Sequence, residues 1–237
     1  MGKSCYEKSE ENIKYPTRNE IVINPKLEID RIFNILFSNQ NKKITKEELH
    51  NFLEYMKDYN NQLYFLNKIN QVRTTSYEIP EEVFQYLKKI FSFILDLFNI
   101  HNISNEEIGI VSYIIILSQT YYYFNKGITK NKKIYLSEKL KSKNVFKNDE
   151  FWEKFLEYLI NEEINKQKKV ENIDFTEEQI QKLKTKLAFG QMLSVILKMK
   201  NFGFKKRKIR NIIHDSSEKY NISEEHKDTV NSYIDNK

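Results

Sequence analysis

The run Ile108-Gly109-Ile110-Val111-Ser112-Tyr113-Ile114-Ile115-Ile116-Leu117-Ser118-Gln119-Thr120-Tyr121-Tyr122-Tyr123-Phe124 carries no charged side chain. How it is read decides the fold, because such a run spans a membrane, forms a buried strand or lies buried as a core helix. A span needs about 18 or more apolar residues. This run falls just short, and Ser112, Ser118, Gln119, Thr120 and several tyrosines dilute it. The β-branched stretch from Tyr113 to Leu117 is compatible with a buried strand. Length and a start signal favour helix. Ser104 followed by Glu107 fits a capping box, in which hydroxyl and carboxylate each satisfy an orphan backbone N–H. The expected element is a core helix over 105–124.

The same start signal recurs along the chain as Thr45 with Glu48 and Thr176 with Gln179. Pro80 suits a first helical turn, and Glu81 and Glu82 complement the helix dipole behind it. Phe151, Phe155 and Leu159 repeat at i, i+4, as do Trp152, Leu156, Ile160 and Ile164, which makes one broad face apolar. The pattern predicts helices over 27–38, 45–57, 60–73, 80–99, 105–124, 132–142, 149–167, 177–200, 205–219 and 224–235. No stretch alternates like an amphipathic strand. Read as helix, Tyr121-Tyr122-Tyr123 points in three directions, with at least one ring facing the core. Residues 1–24 are polar and aperiodic, with Pro16 in them and Pro25 after them, and read as a flexible arm. Residues 25–237 read as a single all-α domain of about 8–10 helices, a globular bundle or a short helical-repeat stack. No clean internal repeat chooses between the two.

Composition weakens any argument from propensity. Asn, Ile, Lys and Tyr together fill 105 of 237 positions, and Ala188 is the single alanine. The bias is that of AT-rich codons, and it inflates lysine everywhere, so a net charge of +6 names no partner. Five scattered glycines form neither GxGxxG nor GxxxxGK[ST]. A lone Cys5 leaves no intramolecular disulfide framework or cysteine-based zinc cage, and suits a reducing compartment. Lys3, Glu7 and Lys8 without an apolar run do not read as a signal peptide. The expected protein is soluble and cytoplasmic, with peripheral membrane attachment as an option.

Catalytic chemistry finds no footing. His50, His101, His214 and His226 lie in four different segments. Glu47 with His50 is one Glu-x-x-His pair, whereas a di-iron bundle needs two pairs and two further glutamates. No HExxH, EF-hand loop or GxSxG elbow occurs. The adjacent acids Glu162–Glu163 and Glu224–Glu225 point apart on a helix. The expectation is a non-enzymatic protein with no cofactor and no metal.

Two features remain. The first is Met1-Gly2-Lys3-Ser4-Cys5-Tyr6, where Gly2 is a candidate for myristate and Cys5 for palmitate. One myristoyl chain anchors only marginally, so the pairing matters. Tyr6 departs from the usual pattern, which has Ser or Thr in its place. The second is the segment from Lys198 to Arg210. Lys198, Lys200, Lys205, Lys206, Lys208, Arg207 and Arg210 make seven of its thirteen residues basic, around the corner Phe202-Gly203-Phe204. Five basic groups at 205–210 beside an anionic membrane would add up to ~5 kcal/mol. The competing readings are a solvated basic helix start, an acidic protein and nucleic acid. Nucleic acid lacks any supporting motif.

Several landmarks, taken in order, resemble the SET-binding-factor-type domain. Phe65, Ile69 and Arg73 precede Phe84 and Leu87, and Leu117-Ser118-Gln119-Thr120-Tyr121-Tyr122 is similar to that family's central Ser-Gln-Thr-Tyr-Tyr helix. Tyr135-Leu136 and Leu140, Val145-Phe146, Phe151-Trp152-Glu153, Phe189-Gly190-Gln191-Met192, Met199 and Phe202-Gly203 continue the order. Val145-Phe146 stands where relatives often have Ile-Trp. The resemblance covers about 45–225. It implies a helical domain without known catalytic residues. Relatives lie within large myotubularin-related pseudophosphatases, between DENN and phosphoinositide-binding modules, or make up most of a small vertebrate protein. The activities of those neighbouring modules do not carry over. Gln119, Trp152 and Gln191 are expected to fix helix register.

Two expectations follow. One is a non-catalytic adaptor or scaffold in membrane traffic or signalling, which binds a protein partner at a cytoplasmic membrane face through Gly2, Cys5 and the 198–210 segment. The other is a soluble module whose basic segment meets an acidic protein or nucleic acid.

Overall fold

A computed structural model describes residues 24–38, 43–73, 77–99, 102–126, 131–171 and 175–236. Among these residues it contains eleven helices and one small sheet, so the chain is all-α in class. The centre is α5 (Asn105–Thr120), which starts on the Ser104–Glu107 capping box. Ile108, Ile110, Val111, Ile114, Ile115 and Leu117 are each at most 1% exposed. Together with the buried Gly109, Ser112, Ser118 and Thr120, those positions lie around the whole circumference of the helix, so neighbours must cover every side. α3 (Tyr59–Gln71), α6 (Leu136–Leu140) and α8 (Asp149–Glu171) supply that cover. On the α8 side, Gly109 lets Tyr158 come close: a Cβ there would stand 3.2 Å from its hydroxyl oxygen. No helix among the described residues is long and apolar enough to cross a membrane.

The remaining elements build outward from α5. α1 (Pro25–Phe37) has Asn24, the last residue of the expected arm, as its N-cap. α2 (Lys46–Tyr55) starts on the Thr45–Glu48 box, and Asp58 caps α3. α4 (Glu81–Leu97) packs on α6, and α9 (Glu177–Asn201) runs beside α8 from its Thr176–Gln179 box. α10 (Lys206–Lys219) and α11 (Glu224–Asp235) close over α8 and α9. One hydrophobic cluster runs from Ile29 to Ile234.

The expected helix over 105–124 ends four residues early. Tyr121–Lys126 is instead strand β2, between β1 (Tyr77–Glu78), parallel to it, and β3 (Asn131–Tyr135), antiparallel. The reason lies in where four consecutive aromatic rings can go. In a strand they alternate. Tyr121 then meets Tyr77 at 5.6 Å and donates its hydroxyl to the Ile69 carbonyl at 3.1 Å, while Tyr123 meets Phe84 at 4.6 Å. Tyr122 turns the other way, to Phe124 and Tyr135 at 5.4 and 5.3 Å. All three tyrosines are buried. The expected helix over 132–142 likewise divides into β3 and the short α6, and α7 (Asn144–Lys147) follows as a separate turn. The alternative of a strand over Tyr113–Leu117 does not hold, since those residues are helical.

Gly109→Val should drive a branched side chain into Tyr158. We expect a loss of about 1–3 kcal/mol of stability, read as a lower urea midpoint at unchanged slope.

Candidate functional site

The basic segment folds as the end of α9, a tight corner and the first turn of α10. The corner is a Schellman motif, which hands the last orphan carbonyls of α9 to the following N–H groups. Phe204 N–H donates to the Met199 carbonyl at 3.1 Å and Gly203 N–H to that of Lys200 at 2.8 Å. Gly203 sits at φ 79°, a left-handed conformation that suits glycine. The end of α10 repeats the motif with Asn221 at φ 51°.

Both phenylalanines of the corner turn inward. Phe202 is 3% exposed and lies tilted against Phe146 at 4.4 Å, and the half-buried Phe204 meets Trp152 at 5.4 Å. Trp152 in turn donates its indole N–H to the Phe146 carbonyl at 2.9 Å. The corner therefore keys α9 and α10 onto α8, and its rings are core rather than surface.

The seven cations divide by task. Lys200 donates to the carbonyls of Tyr233 and Asn236 at 2.5 and 2.8 Å, and Lys206 to that of Asp235 at 2.8 Å. Arg210 pairs with the Asp235 carboxylate. These three hold the C-terminal end of α11, where carbonyl groups and the helix dipole favour positive charge. Lys208 bridges to Asp149 at 2.6 Å and to the Lys147 carbonyl at 2.7 Å. Lys198 is half-buried and bonds to the Ser194 hydroxyl at 2.6 Å. Burial holds its ammonium below the ordinary lysine value. Lys205 and Arg207 are exposed, with no ion pair recorded among the described residues.

Two cations outside the segment join those two. Lys141 lies alongside the corner, its Nζ 3.9 Å from where a Cβ of Gly203 would stand. Lys147 is drawn in through its own carbonyl by Lys208. Both are exposed, and neither forms an ion pair among the described residues. Around the corner, the exposed cations without an ion pair among the described residues are thus Lys141, Lys147, Lys205 and Arg207, drawn from two parts of the chain. Spacing along the sequence could not reveal this, because Lys141 and Gly203 lie in distant parts of the chain and approach only in the fold.

Gly2 and Cys5 lie outside the described residues. Of the expected register residues, Trp152 has its partner, whereas the buried Nε2 of Gln119 has none among the described residues. An open groove of about 560 Å³ beside α10 and α11 is lined by Arg210, Asn211, His214, Asp215 and Asn231. Among the described residues, no three His, Cys, Asp or Glu side chains gather as a metal site would require.

Two substitutions separate structural from free positions. Lys200→Met should cost about 1–3 kcal/mol and speed amide hydrogen exchange throughout α11. Gly190, mid-way along α9, has nothing within 4 Å of the place an added methyl group would occupy, so Gly190→Ala should raise stability by up to about 1 kcal/mol in urea melts. No protein-family model, no curated protein and no solved structure matches the chain.

Proposed function

We propose that the chain is a non-catalytic helical adaptor that docks on an anionic membrane surface through the corner around Gly203 and carries a protein partner there. The observation that supports this reading is the concentration of uncommitted charge: Lys141, Lys147, Lys205 and Arg207 surround one corner with no acidic partner recorded among the described residues. Each such cation at an anionic bilayer contributes about 1 kcal/mol, so four give roughly the attachment of one acyl chain. Acyl chains on Gly2 and Cys5 would supply the second signal that stable anchoring needs. The ordered likeness to the SET-binding-factor-type domain supports an adaptor in membrane traffic or signalling.

Co-sedimentation with vesicles tests the corner. Vesicles containing phosphatidylserine should retain the protein while pure phosphatidylcholine does not, and retention should fall as salt rises. Lys205→Gln with Arg207→Gln should weaken retention by about tenfold or more. Equal retention on both vesicles, or no effect of the double variant, removes the proposal. Tighter binding to single-stranded DNA than to the anionic vesicles favours the soluble module instead. In cells, Gly2→Ala should move the protein from membrane pellets to the soluble fraction.

A further inference from the structure

α11 is held differently at its two ends. At its start, the preceding Ile222 is buried, His226 stacks on Phe189 at 4.2 Å and Lys227 bridges to Glu218 at 2.7 Å. Towards its end the apolar hold is slight. Val230 and Ile234 are its buried residues, Tyr233 is half-buried, and eight of its twelve residues are exposed. An element with so few buried apolar contacts opens well below the free energy of global unfolding.

The rest of the hold is ionic. Lys200, Lys206 and Arg210 all reach this end, and Lys200 also lies over the Tyr233 ring at 5.1 Å. Among the described residues, these three positive charges meet one carboxylate, that of Asp235, and the carbonyls of Tyr233, Asp235 and Asn236. The carbonyl end of a helix supplies only about half a unit of negative charge. The cluster is therefore left with an excess of positive charge. A full negative charge attracts an ammonium more strongly than a carbonyl dipole does, so an anionic headgroup competes with α11 for the same donors.

Position makes that competition consequential. Lys206 lies between Lys205 and Arg207 at the start of α10, and Lys200 lies just before the Phe202-Gly203-Phe204 corner. The charge that α11 takes up is contiguous with the exposed charge of the corner.

We propose that the C-terminal half of α11 is an autoinhibitory strap: it occupies Lys200, Lys206 and Arg210, and an anionic bilayer displaces it and adds those cations to Lys141, Lys147, Lys205 and Arg207. The proposal rests on the membrane reading and supplies its regulation. The bilayer binds the opened form more tightly and so shifts the chain towards it. First contact through the corner then recruits the charge that α11 had covered.

Amide hydrogen exchange of the full chain tests displacement directly. With phosphatidylserine vesicles, amides over 230–236 should exchange at least about tenfold faster than with pure phosphatidylcholine vesicles, while those of α5 stay protected. Unchanged or slower exchange there in the vesicle-bound chain overturns the proposal. Because this measurement uses the unaltered chain, it decides even where a variant fails to fold.

Ile234→Ala loosens the strap without removing a charge. It should raise retention on phosphatidylserine vesicles by about tenfold or more and leave phosphatidylcholine vesicles unbound. Adding Lys200→Gln and Lys206→Gln should cancel that gain. No gain, a gain on both kinds of vesicle, or a gain that survives the two added substitutions overturns the strap. A gain from Ile234→Ala with no effect of the Lys205 and Arg207 double variant removes the corner as first contact and leaves the strap standing. An effect of that double variant without the gain removes the strap alone, and no retention of any variant removes both.

Discussion

A helix that is apolar around its whole circumference has to be covered from every direction, or it exposes a stripe that water penalises. α5 imposes that demand here. α3 and α8 flank it, the sheet takes over where it ends, and α6 closes the remaining side. The layout of the first two-thirds of the chain follows from covering one sixteen-residue helix. α8 carries the constraint further. Covering α5 uses one part of its surface, and the rings of Phe151, Trp152 and Phe155 form a second buried surface that receives Phe202 and Phe204. The corner between α9 and α10 is fixed as firmly as the core because it is made of core residues.

Helix starts are legible in the sequence because their chemistry is local. Thr45 with Glu48, Ser104 with Glu107 and Thr176 with Gln179 all close as reciprocal caps, three residues apart in sequence and in contact in space. The end of α5 is not legible in the same way. Tyr121 belongs to a strand only because Tyr77 and Ile69, more than forty residues earlier, wait beside it. A helical reading of residues 132–135 fails because they pair with β2 just before them, and no alternation of apolar residues marks that strand. Caps announce helices from within, whereas a short strand is announced by its partner.

The basic segment shows the same division between local and distant information. Its composition is evident, yet three of its cations are bound by backbone carbonyls, which leave no trace in a sequence. Lys200 reaches carbonyls 33 and 36 residues away, and Lys206 one 29 residues away. Counting basic residues therefore overstates the charge open to a partner at 198–210 and overlooks Lys141 and Lys147. Charge becomes available only after the fold has taken what it needs for its own helix ends. In a chain this rich in lysine, that remainder is the informative quantity.

The parallel pairing of β1 with β2 also orders assembly in time. β2 and β3 are adjacent in sequence and can zip within about microseconds. β1 reaches its register against Tyr121 and Tyr122 only once α4 and α5, which lie between them, have folded and docked. Closing that long loop costs entropy before any bond repays it. The two-residue strand at Tyr77–Glu78 is therefore expected to lock after the hairpin and the helices between them.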